Sequence, residues 1–174
     1  EGNLLILNRL NAPILLYTLD ENIPFKEIGA KEDFLVNIPS DGFSPTLLRV
    51  WKKSKVSDAS EPDINNIYKE WSIILSNTQI ESEQVIWVIT SGSSSPSVGQ
   101  LSFTYPSIDV TGSMVIYEAL IFLNNKNGKK VASITPGKEN KIVGLDFGYY
   151  YLYYKYLFEN NSETVGWIEQ DSLG

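Results

Sequence analysis

The densest run of chemically useful side chains is Tyr149-Tyr150-Tyr151-Leu152-Tyr153-Tyr154-Lys155-Tyr156-Leu157-Phe158. On a strand, alternate side chains face opposite ways. Tyr150, Leu152, Tyr154, Tyr156 and Phe158 then share one face. The parity of Leu152 and Phe158 assigns that face to a core, since a one-residue slip would put Lys155 inside. Tyr149, Tyr151, Tyr153 and Lys155 share the other face. A row of three tyrosines beside a lysine could stack on sugar rings or anchor a protein partner, because each ring offers an apolar body and a polar tip. The same residues also suit a pleated, half-buried surface and its cross-strand pairs. These four are the candidate binding residues, for a glycan or a protein.

Oxygen-bearing side chains gather in a second place, Asp58, Glu61 and Asp63 with Asn65 and Asn66. Calcium needs closely spaced oxygens in a loop. The spacing here matches no calcium motif and no glycine supplies a sharp turn, so the segment reads as a solvated loop and no metal is expected. Asp109, Glu118, Glu139 and Asp146 could in principle form an acid–base pair of the glycosidase kind, but none lies in a motif. The stretch Ser91 to Ser97 has no partner base in a recognisable arrangement. No glycine cluster is followed by a helix that could cradle phosphate. The 174 residues include no His and no Cys. That removes the commonest general base, the commonest metal ligand and the thiolate nucleophile together. A non-enzymatic protein without a cofactor is expected.

Charge narrows the partners. The net charge is −7, and the longest basic run, Lys52-Lys53-Ser54-Lys55, is short. Nucleic acid is disfavoured, because phosphate neutralisation needs clustered Lys and Arg. No run approaches the roughly 18–20 apolar residues of a membrane helix. The chain opens at Glu1-Gly2 without the regions of a secretory signal, as expected of a chain trimmed of its targeting segment.

The elements that must position these residues are strands. Val, Ile, Tyr, Phe, Trp and Thr cluster in short runs separated by Gly, Pro, Asn, Asp and Ser. Strands are predicted near 3–9, 13–19, 24–29, 33–38, 46–53, 67–76 and 84–90. The rest of the chain predicts 99–105, 108–117, 119–124, 130–135, 140–146, 149–158 and 164–170. Asn127-Gly128 between two apolar runs is a hairpin signal. Trp87 lies in Val85-Ile86-Trp87-Val88-Ile89, apolar on both faces, which implies burial on both sides or an interface between halves.

The chain also repeats itself. Ile14 to Asp33 reads like Ala119 to Asn140, and Trp71 and Trp167 close matching strands. Residues 54–66 have no counterpart in the second half and read as an insertion. The small, polar stretch 91–97 is the natural linker. The expected fold is all-β, two similar antiparallel β-sandwich, immunoglobulin-like domains in tandem, at 1–92 and 97–174.

Ile134-Thr135-Pro136-Gly137 and Gly148-Tyr149-Tyr150 resemble the Thr-Pro-Gly-like turn and the Gly-Tyr approach to the closing strand of PEGA domains, short extracytoplasmic bacterial β-modules. The likeness spans about 40 residues; the first half departs from it at Gly29-Ala30. The resemblance implies an extracytoplasmic location, in the periplasm or at the cell surface, and an accessory role without catalysis. Two functions are therefore expected in order: a non-catalytic module for protein interaction or envelope assembly, and a carbohydrate-binding module using the tyrosine row.

Overall fold

The computed structural model describes residues 4–19, 25–38, 43–56, 62–74, 83–92, 100–104, 116–125, 130–134, 139–146, 148–158 and 163–173, with backbone and register alone for 83, 100–104, 116–125, 130, 133–134, 148–149, 151–158 and 163–173. The described residues are almost all strand: β1 (Leu4–Asn8), β2 (Ile14–Thr18), β3 (Lys26–Ile28), β4 (Asp33–Val36), β5 (Thr46–Lys52), β6 (Lys69–Ile73), β7 (Glu83–Ile89), β8 (Gln100–Thr104), β9 (Ile116–Asn125), β10 (Lys130–Ile134), β11 (Glu139–Val143), β12 (Gly148–Phe158) and β13 (Glu163–Leu173). The only helical pieces among them are 3-10 turns at Lys53–Lys55 and Ile64–Asn66. The chain is all-β. One detail departs from expectation: 116–125 is a single strand, with no break at Glu118 between 108–117 and 119–124. Residues 105–115 lie outside the described residues.

Three sheets organise these strands. One runs β3-β2-β5-β6, a second runs β10-β9-β12-β13, and a third, of five strands, runs β4-β1-β7-β11-β8. Adding seven to each strand number of the first order gives the second. The same shift carries the antiparallel pair β1–β4 onto β8–β11. The order is not that of the immunoglobulin sandwich, in which strands one, two, five and four form one sheet and three, six and seven the other. Here strands two and five are flanked by three and six, while four, one and seven lie together.

The five-stranded sheet joins the two halves of the chain. β7 is parallel to β1 on one side, with Leu4 opposite Val85 and Ile6 opposite Trp87. On its other side it is parallel to β11, with Ile142 opposite Ile86 and Val143 opposite Trp87. The expected linker thus runs between strands of one shared sheet: β7 precedes it and both β8 and β11 follow it. Of that stretch Ser91 and Gly92 are described, and 93–97 lie outside the described residues.

The reason is visible in β7 itself. A strand apolar on both faces is costly at a sheet edge or on an open face, and is stabilised in the middle of a covered sheet. Val85, Trp87 and Ile89 share one core with Leu4, Ile6, Val143 and with Ile14, Leu16, Leu48 and Val50 of the β3-β2-β5-β6 sheet. This is face-to-face packing of two sheets. On the opposite face, Leu7, Ile86, Val88 and Ile142 are also buried. β10 lies against β7, and Ala132 within it is fully buried.

The segment between β5 and β6 has a packing role. Trp51 is buried on the outer face of its sheet beside Leu15. Tyr17 meets its ring edge-on at 6.3 Å, and its Nε1 donates to the Asp63 carbonyl at 2.9 Å. Asp63, which leads the turn Ile64–Asn66, lies against that aromatic pair, so the indole N–H is satisfied where water is excluded.

Candidate functional site

The described side chains that converge from both halves lie at the C-terminal ends of the parallel strands β7 and β11. Thr90 follows β7, Asp146 follows β11, Tyr68 and Lys69 come from the start of β6, and Tyr150 from the start of β12. A parallel pair brings both strand ends to the same place, which is why Thr90 and Asp146 meet although 56 residues separate them. Thr90 Oγ1 donates to Asp146 Oδ1 at 2.8 Å. Tyr68 donates its hydroxyl to the Thr90 carbonyl at 2.7 Å. Lys69 Nζ donates to the Gly92 carbonyl at 2.5 Å, and Tyr150 donates to the Asp146 carbonyl at 2.5 Å.

Glycines make the approach possible. A Cβ on Gly92 would lie 1.6 Å from Asp146 Oδ1, so the carboxylate rests against bare backbone. Gly144 has φ +79° where β11 ends, and a Cβ there would sit 2.5 Å from the Val88 carbonyl and 3.0 Å from the Trp87 ring. Both positions favour the residue without a Cβ.

The electrostatics follow from burial. Burial, then the Asp146 charge, pushes the Tyr150 phenol from its ordinary 10.0 up to about 12. Tyr68 is raised for the same two reasons in the same order. Burial lowers the Lys69 ammonium, with Asp146 acting against that trend. Lys52 and Lys69 both lie over the Tyr68 ring, at 4.6 and 5.2 Å from its centroid, an arrangement favoured by the ring's negative face. The cluster is a carboxylate ringed by two phenols, an ammonium and a hydroxyl, with each named donor committed to a carbonyl or to the carboxylate.

A second link between the halves lies at the end of β1. Arg9 Nε donates to the Val131 carbonyl of β10 at 2.9 Å, while its guanidinium also pairs with Asp33 at 3.0 Å. Beside it Asn8 is fully buried. Its Nδ2 donates to the carbonyls of Ala12, Ile28 and Gly29, and its Oδ1 accepts from the Leu10 N–H.

The residues singled out from sequence are scattered. Tyr149, Tyr151, Tyr153 and Lys155 all fall in β12, the strand between β9 and β13. The register sets Tyr151 opposite Asn124 and Gln170, and Tyr153 opposite Phe122 and Trp167. Their exposure lies outside the described residues. Asp58 and Glu61 lie outside them too, while Asp63 holds a 3-10 turn by accepting from the Asn65 backbone N–H at 2.9 Å. No cluster of three or more metal-ligating side chains occurs among the described residues. Glu139 and Asp146 flank opposite ends of β11 and do not meet. Asp109 is outside the described residues, and Glu118 is placed only by register in β9. No described helix is long and apolar enough to cross a membrane.

Tyr68, Lys69 and Thr90 carried no signal in the sequence, because the Thr90 contact with Asp146, and the reach of that charge to Tyr68 and Lys69, arise only from the β7–β11 pairing. The nearest signal was the two-sided apolar character of Val85 to Ile89. No protein-family model, curated protein or solved structure matches this chain.

Proposed function

We propose that the chain is a non-catalytic extracytoplasmic module built of two like β-sandwich units, and that it presents a fixed surface to a protein partner in an envelope assembly. The observation that carries this reading is the shared sheet with its clasp. Thr90 donates to Asp146 across the join, while Tyr68 and Lys69 brace the Thr90 and Gly92 carbonyls on one side of it and Tyr150 braces the Asp146 carbonyl on the other. Such groups hold a geometry and leave little for turnover. Two further observations support it. The strand orders of the halves coincide after a shift of seven, and the likeness of Ile134–Gly137 and Gly148–Tyr150 to PEGA modules points outside the cytoplasm.

The test of the fixed geometry is a protease site inserted at Ser95. After cutting, the two pieces are expected to co-elute as one species and to melt together. Pieces that separate in native buffer would refute the reading. The compartment is tested by a membrane-impermeant lysine reagent on intact source cells, which is expected to label the protein. Protection equal to that of a cytoplasmic marker would refute that part.

A further inference from the structure

The register of the β10-β9-β12-β13 sheet gathers aromatic residues that lie far apart in the chain. Phe122 faces Tyr153, and Tyr153 faces Trp167. Directly opposite residues share a face, so the three form one row across three adjacent strands. Strands about 4.8 Å apart carry that row over roughly 10 Å of sheet. The next row on the same face is Asn124, Tyr151 and Gln170.

Two side chains on the other face show which way the sheet turns. Ala132 lies opposite Leu123, which lies opposite Leu152, and Ala132 is fully buried. Tyr150, two residues before Leu152, is also buried and donates to the Asp146 carbonyl. β10 lies against β7. The Leu152 face therefore covers the five-stranded sheet, and the row of Phe122, Tyr153 and Trp167 belongs to the outer face.

The first unit has a different row in this place. With Ile14 set on Ala119, Tyr17 takes the position of Phe122, Arg49 that of Tyr153 and Glu70 that of Trp167. That row closes on an ion pair, Arg49 to Glu70 at 2.7 Å, with the Glu70 side chain 45% exposed. The second unit has two aromatic residues instead. A bulge puts one of them there. One extra residue in β13, Ile168, sits between the partners of Leu152 and Tyr153. Without it Trp167 would fall on the Leu152 face. Trp71, which closes the matching strand, does lie on the core side, edge-on to Trp87. Bulges that move a residue to a new face are common beside functional sites.

We infer that this outer face binds an oligosaccharide along the row Phe122, Tyr153, Trp167. Aromatic rings at strand spacing form a platform for the apolar faces of successive sugar rings. Asn124 and Gln170 supply primary amides, each both donor and acceptor, as a sugar hydroxyl is. Across β9, β12 and β13 the two rows hold no charged residue, although the chain carries −7, which suits an uncharged ligand. The Arg and Met that accompany aromatics at protein interfaces are missing from both rows.

Of the proposed function only the likeness of the two units enters, so the cleavage and labelling experiments fail separately from this one. The test is nuclear magnetic resonance of the intact, nitrogen-labelled protein, titrated with soluble oligomers of β-linked glucose, of N-acetylglucosamine and of galactose. At least one is expected to bind saturably and to shift the indole Nε1–H signal of Trp167, while those of Trp51, Trp71 and Trp87 stay in place. Trp167→Ala and Tyr153→Ala are expected to weaken that binding about tenfold or more. Trp167→Tyr is expected to keep most of it, and Arg49→Ala, in the matching row of the first unit, to leave it unchanged. The indole shift is read in the parent protein, so a variant that fails to fold does not spoil the test. Binding to none of the oligomers would give the face to a protein partner and overturn the inference. So would a shift confined to the other three indoles, or equal weakening by Arg49→Ala.

Discussion

Gly144→Ala isolates the join between the halves in one methyl group. Two costs arise there. The φ of +79° lies in the left-handed region, which disfavours L residues by about 1–2 kcal/mol. The added Cβ would sit 2.5 Å from the Val88 carbonyl and 3.0 Å from the Trp87 ring. Neither neighbour can swing away, since one is backbone in the middle of a sheet and the other is fully buried. Overpacking of that kind costs a further ~1–3 kcal/mol. The expected loss is therefore roughly 2–5 kcal/mol, a large share of the ~5–15 kcal/mol that holds a domain together. Gly29→Ala is the control. The nearest atoms to a Cβ there are those of the Glu32 carboxylate, at 2.7 Å, the far end of a side chain that can move, and the expected loss is below about 1 kcal/mol. The assay is urea unfolding of parent, G144A and G29A, followed by tryptophan fluorescence and near-ultraviolet circular dichroism. A G144A midpoint equal to that of G29A would refute the argument that β11 is pressed against β7 at this point.

Three other outcomes are expected. Asn8→Ala strips partners from three carbonyls and one N–H and should cost roughly 2–4 kcal/mol in a denaturant titration; a neutral result would mean that water replaces the side chain. The folded protein holds the Tyr150 proton more tightly than the unfolded chain does, so this contribution is intact below pH 10.0 and is lost as pH rises toward about 12. Tyr68 acts in the same sense, whereas the lowered Lys69 disfavours folding while protonated and relaxes as pH rises; Tyr150→Phe should therefore flatten the alkaline fall in melting temperature, and an unchanged slope would count against the clasp. Leu152→Ala should cost roughly 2–5 kcal/mol and Tyr151→Ala far less in paired melts, because Leu48 and Val50 of β5, both in the core, take the register positions of Leu152 and Tyr154 in β12 when Ile14 is set on Ala119; a larger loss for Tyr151 would invert the face assignment.

The strands were legible because their signal is local. Leu4 to Asn8, Ile14 to Thr18 and Glu83 to Ile89 are short runs of β-formers bounded by turn residues, and each emerges as a strand within a residue or two of expectation. Two-sided burial of Val85 to Ile89 could be read in the same way, since alternation leaves no polar face. The partners of β7 were not legible. Nothing in Glu139-Asn140-Lys141-Ile142-Val143 announces that it lies beside residues 83–87 and not within a separate sandwich. Pairing is a non-local choice, fixed by which apolar faces remain uncovered once each half has folded. Asp146 shows the consequence for the site. Read alone it was one of four carboxylates available for acid–base work; at the end of a strand parallel to β7 it accepts from Thr90 across the join, with Tyr150 bracing its own carbonyl.

That choice of partner decides what the linker can do. A small, polar segment such as 91–97 ordinarily lets two domains swing. Swinging here would require opening the β7–β11 ladder and exposing Ile86, Val88, Ile142 and Leu7, all now at most 1% exposed. Each such side chain stabilises the buried state by ~1.5–3 kcal/mol. Four of them amount to roughly 6–12 kcal/mol before the hydrogen bonds of Thr90, Asp146 and Arg9 are counted, which is comparable with the whole stability of a small domain. The halves therefore separate only by unfolding. A small, polar linker sequence and a shared sheet coexist because the two-sided apolar strand β7, paired with β11, fixes where the second half comes to rest.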